Sequence, residues 1–262
     1  MGELAAALWA ETLKARRSRV PLVTVLAFTV AALVGGLFMF ILQDPRRARS
    51  MGLLGTKAAV VGGDADWPGY FTMLAQTTAV GGLLIFGLVF VWTFGREFSE
   101  NTVKDLLALP TPRTTIVGAK FGVATGWCLA LAVQTYLLGL LVGAILGLPG
   151  WSPTVAVTGL ANLLATAAMT ILLATAFGLA ASIGRGYLPA VGCMFVALFL
   201  SQIIAALGYG HYFPWSVPAL FSGVAGPDRT PPGPLSYTLV LLVGLAAAVA
   251  TAAWWRRADQ DR

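Results

Sequence analysis

Residues that could perform acid–base or metal chemistry are few in this chain, and they are scattered along it. The 262 residues include one histidine, His211, and two cysteines, Cys128 and Cys193, which lie inside long apolar runs. A zinc site needs three or four ligands close together, and cysteines in apolar surroundings behave as small buried hydrophobes. We therefore predict that the chain has no catalytic residue and no metal site.

Nucleotide chemistry is also not supported by the sequence. A phosphate-binding loop of the form G-x-x-x-x-G-K-[ST] does not occur, and the nearest approach, residues 52–57, has neither its spacing nor its order. We expect this chain to hold no cofactor and not to hydrolyse ATP by itself. With 58% hydrophobic and 11% charged residues, the composition excludes a soluble globular enzyme, in which about 25% of residues are charged.

The elements that must position any functional residue are membrane spans. About 20 apolar residues cross the hydrocarbon core of a bilayer, and six charge-free runs are that long: 20–42, 70–94, 121–148, 154–183, 187–207 and 235–255. The fourth run is long for one span and could be tilted or broken near Gly178. We predict an all-α, polytopic membrane protein with six transmembrane helices in a single domain, residues 1–262. Because 12 of the 17 Lys and Arg residues lie in the amino terminus, the second and fourth loops and the carboxyl terminus, both termini should be cytoplasmic.

The predicted spans contain no Asp, Glu, Lys, Arg or His, which disfavours ion-coupled transport. Asn162, Thr166 and Thr170 recur every fourth residue and form a polar stripe on one helix face. Such a stripe suits either hydrogen bonding between helices or the lining of a translocation path. A path for an amphipathic cargo needs a few polar groups in an apolar cleft, and the candidates for it are Gln76, Gln134, Asn162, Thr166 and Gln202.

Charge and helical periodicity meet in the loop of residues 95–119, between spans two and three. Val103, Leu106 and Leu107 recur at spacings of three and four, which places an apolar stripe on a short helix with a charged opposite face. Pro110 would end that helix. The sequence therefore predicts a short, two-sided helix joined stiffly to two spans, which would either transmit a push into the bilayer or lie on the headgroups.

This loop resembles a motif of ABC-2-type permeases, the membrane-spanning subunits of bacterial ABC exporters. In that motif an acidic residue, a Gly/Asn-Thr pair, a Leu-rich turn and a Pro-x-[S/T/P]-Arg segment follow the second span. The matching residues here are Arg96, Glu97, Asn101, Thr102, Leu106, Leu107, Pro110, Arg113 and Lys120. Asn101, which like Ser99 could cap the short helix, stands where the family more often has Gly, and both residue types accept unusual backbone angles.

The resemblance implies that the short helix is a coupling helix, gripped by a cytosolic ATPase. Two ATPase subunits would serve a homodimer or heterodimer of permeases, with ATP and Mg²⁺ bound in the ATPase. The complex would export an amphipathic drug, peptide or lipid-like cargo by alternating access, in the cell inner (cytoplasmic) membrane and in contact with lipids but not with nucleic acid. The residues that would form or orient the ATPase contact are Glu97, Thr102, Val103, Leu106 and Leu107, with Pro110 ending the helix.

Two further segments complete the expected organisation. The resemblance implies that residues 1–19 form an amphipathic helix that lies along the membrane and touches the ATPase. Its apolar side would comprise Leu4, Leu8, Trp9, Thr12 and Leu13, and the bases suited to anionic headgroups are Lys14, Arg16, Arg17 and Arg19. Residues 208–234 contain short apolar pieces broken by proline, and pieces of this length are more often re-entrant or interfacial than spanning. The resemblance implies that they form a re-entrant extracytoplasmic loop with two short helices dipping into the outer leaflet, and the alternative is a loop packed on the external surface.

Two functions from other classes stay open at this point. An integral membrane enzyme should show a cluster of His, Asp or Glu at one membrane face, and the sequence shows no such cluster. A non-transporting assembly or immunity factor could use the same scaffold, and no residue pattern in the sequence separates that function from transport.

Overall fold

The computed structural model of the chain describes residues 2–44, 64–224 and 231–257, and these residues form helices without strands. The α-helices are α1 (Glu3–Arg17), α2 (Val20–Gln43), α3 (Trp67–Ser99), α4 (Val103–Leu107), α5 (Arg113–Leu146), α6 (Pro153–Ile183), α7 (Tyr187–Ala206), α8 (Val217–Phe221) and α9 (Pro234–Arg257). Two short 3₁₀ helices, Gly210–Tyr212 and Pro214–Ser216, precede α8. Residues 52–57, the nearest approach to a phosphate-binding loop, and part of the predicted loop 208–234 lie outside the described residues.

Six of the described helices are long and apolar enough to cross a membrane, namely α2, α3, α5, α6, α7 and α9. Each coincides with one of the six predicted runs, so the all-α fold with six candidate spans is confirmed. Of the two possibilities for the long fourth run, a break near Gly178 does not occur, because α6 is continuous from Pro153 to Ile183. Gly178 instead admits an aromatic ring, since a Cβ there would lie 2.9 Å from Cδ2 of Phe94.

Local sequence signals explain several helix ends. The Asp66 carboxylate accepts a hydrogen bond from the amide of Gly69 at 2.8 Å and so caps the start of α3. The hydroxyl of Ser152 caps α6 in the same way, and Pro153 occupies the first position, where its missing N–H costs nothing. Helix α5 ends at Gly147, whose φ of 63° lies in the left-handed region that glycine adopts readily.

Helix α3 forms the centre of the bundle and shares its most extensive interface with α6. Phenylalanine rings of α3 are buried against glycines of α6, namely Phe71 at Gly159 and Phe94 at Gly178. Close approach of the two helices depends on glycine, because a Cβ at Gly159 would lie only 2.5 Å from Cγ of Phe71. The bundle is therefore held by large rings of one helix packed against small residues of the other.

The two ends of the bundle differ in composition. At one end, here called the charged end, α1, the end of α3, α4, the start of α5 and the end of α9 meet. All Lys and Arg residues of the described ranges lie at this charged end or in the α6–α7 turn beside it. At the opposite end, α3 and α6 begin and α5 ends, and the aromatic rings of Trp67 and Trp151 lie 4.7 Å apart.

The segment that contains the 3₁₀ helices and α8 folds back along the bundle. Ser216 donates a hydrogen bond to the carbonyl oxygen of Ser201 on α7 at 2.9 Å. Val217 packs in a buried cluster with Leu173 of α6 and Val240 of α9. Leu173 lies 20 residues after the first residue of α6, which corresponds to about 30 Å along the helix axis. The placement of the segment with the 3₁₀ helices and α8 relative to the outer leaflet stays a prediction.

Candidate functional site

The connection from α3 to α5 contains α4, a helix of five residues. The chain leaves α3 through Asn101, whose φ of 56° lies in the left-handed region. That angle explains why Asn serves at a position where the resembling family more often has Gly. The predicted cap by Ser99 or Asn101 is wrong, because Thr102 occupies the N-cap position and its side chain makes no capping hydrogen bond.

A buried network of two lysines and two glutamates joins α1, α3 and α5 beside this connection. Lys120 Nζ lies 2.8 Å from Glu97 Oε1, 3.1 Å from Glu11 Oε2 and 3.1 Å from the carbonyl oxygen of Thr93. Lys14 Nζ lies 2.8 Å from both Glu11 Oε1 and Glu97 Oε1. We call these four charged residues the ion network.

The ion network is electrically balanced and well satisfied. Lys120 and Glu97 are 1% and 2% exposed, and a charge removed from water to this extent is tolerated only when it is paired and hydrogen-bonded. The three N–H donors of Lys120 all have acceptors. Burial alone would lower the pKa of Lys14, but the Glu11 and Glu97 carboxylates outweigh that effect and hold the pKa above its usual value of 10.5.

The ion network also reaches α4. Thr102, the residue that precedes α4, donates its hydroxyl hydrogen bond to Glu97 Oε2 at 2.6 Å, while the other oxygen of Glu97 binds both lysines. The amide of Thr102 donates to the carbonyl oxygen of Glu97 as well. One glutamate therefore fixes the start of α4 to α1 and to α5 at the same time.

A second set of contacts fixes the other side of this connection to α9. Arg113, the first residue of α5, donates from Nη1 to the carbonyl oxygens of Trp255 and Arg256 at 3.3 and 3.4 Å, a position where a cation favours the helix terminus. The Trp255 indole donates to Ser182 Oγ of α6 at 3.0 Å. The ring of Phe98 lies 5.8 Å from the rings of both Trp254 and Trp255, so α3, α6 and α9 are joined here.

Helix α4 therefore has an anchored face and a free face. Val103 is buried, and Leu106 and Leu107 are half-buried against the bundle core. Lys104, Asp105 and Pro110 are exposed, and Leu109 is 51% exposed. Since α4 is held on two sides, a force on its free face would act on the helices of the bundle rather than on a loose loop.

The predicted ATPase-contact residues thus fall into two groups in the structure. Glu97 belongs to the ion network and Thr102 donates a hydrogen bond to it, so both can orient α4 from within the bundle. Val103, Leu106, Leu107 and Pro110 belong to α4 and its exit, with Val103 turned into the bundle.

Sequence reasoning missed the ion network itself. The sequence analysis does not single out Glu11 and expects Lys14 at lipid headgroups, whereas the structure places the half-buried Lys14 between two carboxylates. The i, i+3 spacing of Glu11 and Lys14 on one helix was the available signal. Of the predicted apolar side of α1, Leu8 packs near Gly122 of α5 and Trp9 is 66% exposed, and the contact of this side with the membrane stays a prediction.

A cavity of about 460 Å³ lies at the opposite end, between the first halves of α3 and α6. Phe71 and Gly159 line it together with the polar side chains of Thr158 and Asn162, and Ser222, just after α8, closes one side. Its lining residues include no Asp, Glu, Lys, Arg or His among the described ranges. This cavity is mostly apolar with a few hydroxyl and amide groups.

The five predicted path residues are not brought together by the structure. Asn162 lines the cavity, and Gln76 lies near it, with Nε2 at 3.8 Å from where a Cβ on Gly223 would be. Gln134 instead joins α5 to α2 by donating to Val25 O and Thr29 Oγ1. Thr166 is buried and bonds its own helix. Gln202 lines a separate recess of about 190 Å³.

Six candidate spans and a short helix anchored at the charged end define a multi-pass membrane protein. Among the described residues no group of three or more His, Cys, Asp or Glu could hold a metal ion. Residues 7–201 match the family described as ABC-2 family transporter protein, and the chain belongs to that family.

A comparison with a curated relative agrees with the family assignment. Over 170 residues, which are 64% of this chain and 82% of the relative, the sequence is 26% identical to the bacitracin transport permease protein BCRB of Bacillus licheniformis. The protein is an ABC-2-type permease, the membrane-spanning subunit of a transporter. The matched region 7–201 contains the whole ion network and α4.

Proposed function

We propose that this permease forms part of an ABC exporter in which a separate cytosolic ATPase supplies the energy. Two ATPase subunits, which bind ATP and Mg²⁺, would serve two permease chains in the cell inner membrane. ATP binding would bring the ATPases together, move α4 in each permease chain, and change the side to which a shared path opens. The cargo would be an amphipathic drug, peptide or lipid-like molecule, released outward.

The observation that carries this proposal is the anchoring of α4 at the charged end. A helix of five residues has no stability of its own in water, so α4 depends on the ion network and on its packed leucines. Those contacts connect α4 to α1, α3 and α5, and the free face is left for a partner. The partner's motion would reach these three helices through a single rigid connection.

The distribution of basic residues supports a cytoplasmic position for α4. The bases of the described ranges, from Lys14 to Arg257, lie at the charged end or in the turn beside it. Cytoplasmic loops carry the excess of Lys and Arg in membrane proteins. With the charged end in the cytoplasm, both termini are cytoplasmic and the cavity near Asn162 faces outward.

That cavity suits the proposed cargo class. Its volume of about 460 Å³ lies within the range of about 300–1,000 Å³ that is usual for small-molecule sites. An apolar lining with Thr158, Asn162 and Ser222 would accept the apolar part of a molecule and bind a few of its polar groups. The name of the Bacillus licheniformis relative makes bacitracin the first cargo to test.

Site-specific photocrosslinking in intact cells tests the proposed ATPase contact. A photoreactive amino acid at Lys104, on the free face of α4, should crosslink to a protein that mass spectrometry identifies as an ABC ATPase. The matched control places the same amino acid at Trp151, which is 53% exposed at the opposite end, and should give no such product. Equal crosslinking from both positions, or none from Lys104, would reject α4 as the contact.

Transport must be measured separately, because an assembly or immunity factor could also bind an ATPase. Inside-out vesicles that contain the permease and the ATPase identified by crosslinking should accumulate bacitracin when ATP is added. Vesicles with the ATPase alone are the control. ATPase binding without ATP-dependent accumulation of any amphipathic compound would favour the non-transporting function.

A further inference from the structure

A groove of about 710 Å³ lies between α1, the first turn of α2 and α5 at the charged end. Leu8 and Ala15 of α1 line one side, and Gly122, Val123 and Gly126 line the side formed by α5. Gly126 helps to keep the groove open, because a Cβ at this position would project into space that contains no atom within 4 Å. The groove is separate from the cavity near the opposite end and from the ion network.

An exposed arginine, Arg16, lies at the edge of this groove. Arg16 lines the groove and is exposed, and within the described residues it forms no ion pair or hydrogen bond. Glu11, the acidic residue nearest to it on α1, is occupied by Lys14 and Lys120. Arg16 therefore adds an available positive charge to the mouth of an apolar groove.

The groove also continues toward the bilayer side of α5. Leu129 and Val133 follow Gly126 at spacings of three and seven residues, so they share its helix face. Both side chains are exposed on the bundle surface, at 37% and 41%. A hydrocarbon chain lying along this face would pass from Arg16 over the glycines and remain in contact with apolar groups.

We propose that this groove binds one anionic phospholipid, with its phosphate at Arg16 and an acyl chain along Gly122 and Gly126. The guanidinium group pairs well with phosphate because its N–H donors match two phosphate oxygens. A bound lipid would fill the space between α1 and α5, on the α1 face next to Glu11. It would thereby support the position of the helix that brings Glu11 to the ion network.

Native mass spectrometry of the purified chain tests this site by titration with phosphatidylglycerol or phosphatidylcholine. The wild type should bind phosphatidylglycerol more tightly than phosphatidylcholine. Arg16→Gln should weaken phosphatidylglycerol binding by about tenfold, because a charge-assisted hydrogen bond from the guanidinium group to the phosphate contributes about that factor. Gly126→Leu, which fills the groove without a backbone clash, should reduce binding of both lipids.

Arg17→Gln is the matched control, since Arg17 is exposed on the same turn but does not line the groove. It should keep phosphatidylglycerol binding within twofold of the wild type. Glycerol phosphate, a headgroup without acyl chains, should not compete. Circular dichroism should show unchanged helix content in all three variants.

Three results would overturn the proposal. Equal losses in Arg16→Gln and Arg17→Gln would show a general surface-charge effect, and unchanged lipid binding in Gly126→Leu would place the lipid elsewhere. Competition by glycerol phosphate would identify a simple anion site. If Gly126→Leu instead converted a dimer to monomers without changing lipid binding, the occupant would be a second copy of the chain.

Discussion

Replacing Lys120 with methionine should destabilise the protein strongly. Methionine has nearly the length of lysine but removes three hydrogen bonds, to Glu11, Glu97 and Thr93. Two buried carboxylates would then share one cation, Lys14. Removing one partner of a buried ion pair lowers the free energy of unfolding by about 3–5 kcal/mol, because the other partner is left as an uncompensated charge. We expect a loss of that size in the free energy of unfolding.

A second substitution separates the charge effect from the loss of packing. Adding Glu11→Gln to Lys120→Met restores neutrality, since Lys14 then pairs with Glu97 alone. The double variant should recover more than half of the lost stability, and the remaining deficit should reflect lost hydrogen bonds at about 1 kcal/mol each. Glu11→Gln alone should also destabilise, because it leaves the buried Lys120 and the half-buried Lys14 with one carboxylate.

The assay is equilibrium unfolding in mixed micelles, followed by circular dichroism, for the wild type, both single variants and the double variant. The four free energies form a double-mutant cycle that isolates the coupling between Glu11 and Lys120. A cost below about 1 kcal/mol for Lys120→Met would refute the buried ion network. Strictly additive losses in the double variant would refute the charge-balance explanation.

Three further predictions use the same unfolding assay. Gly159→Ala should destabilise the protein by about 1–3 kcal/mol through overpacking. Gly118→Ala, where a Cβ meets no atom within 4 Å, should instead stabilise it by about 0.5–1 kcal/mol. Effects of the opposite sign would contradict the α3–α6 packing. Trp255→Phe should cost about 1–3 kcal/mol by leaving the buried Ser182 hydroxyl without its indole donor, and Ser182→Ala added to it should cause little further loss, so a full additive loss would contradict that contact. The raised pKa of Lys14 means that its charged form stabilises the fold. The difference in unfolding free energy between the wild type and Lys14→Met should therefore be constant around neutral pH and decline only as the pH rises above about 10.5. A decline near pH 7 would be inconsistent with this.

The spans were predictable from the sequence because their length and apolarity are local properties. The predicted run 154–183 and the helix Pro153–Ile183 differ by one residue, since a bilayer-spanning helix needs only an unbroken apolar stretch. Helices α3 and α5 extend further than predicted, through Arg96 and Glu97 and back to Arg113. Hydropathy treats each of these charges as an end signal, whereas partners in the folded chain compensate them.

The ion network could not be predicted in the same way. Lys120 and Glu11 are 109 residues apart in the sequence, and no periodicity links α1 to α5. The same limitation explains the path residues, because Gln134 and Asn162 are equally polar in the sequence but only Asn162 lines the cavity. The loop motif was recognisable since its residues are contiguous, and Asn101 has the left-handed angle that its position requires.

Cargo-stimulated ATP hydrolysis by the reconstituted complex tests the central claim most directly. The variant to use exchanges two exposed neighbours on α4, Lys104→Asp with Asp105→Lys, which keeps the composition and disturbs no buried contact. If a partner ATPase reads the free face of α4, the exchange should lower cargo-stimulated hydrolysis about tenfold while leaving the unfolding free energy unchanged. Full stimulation in the exchanged variant, or ATP-independent transport by the permease alone, would contradict coupling through α4.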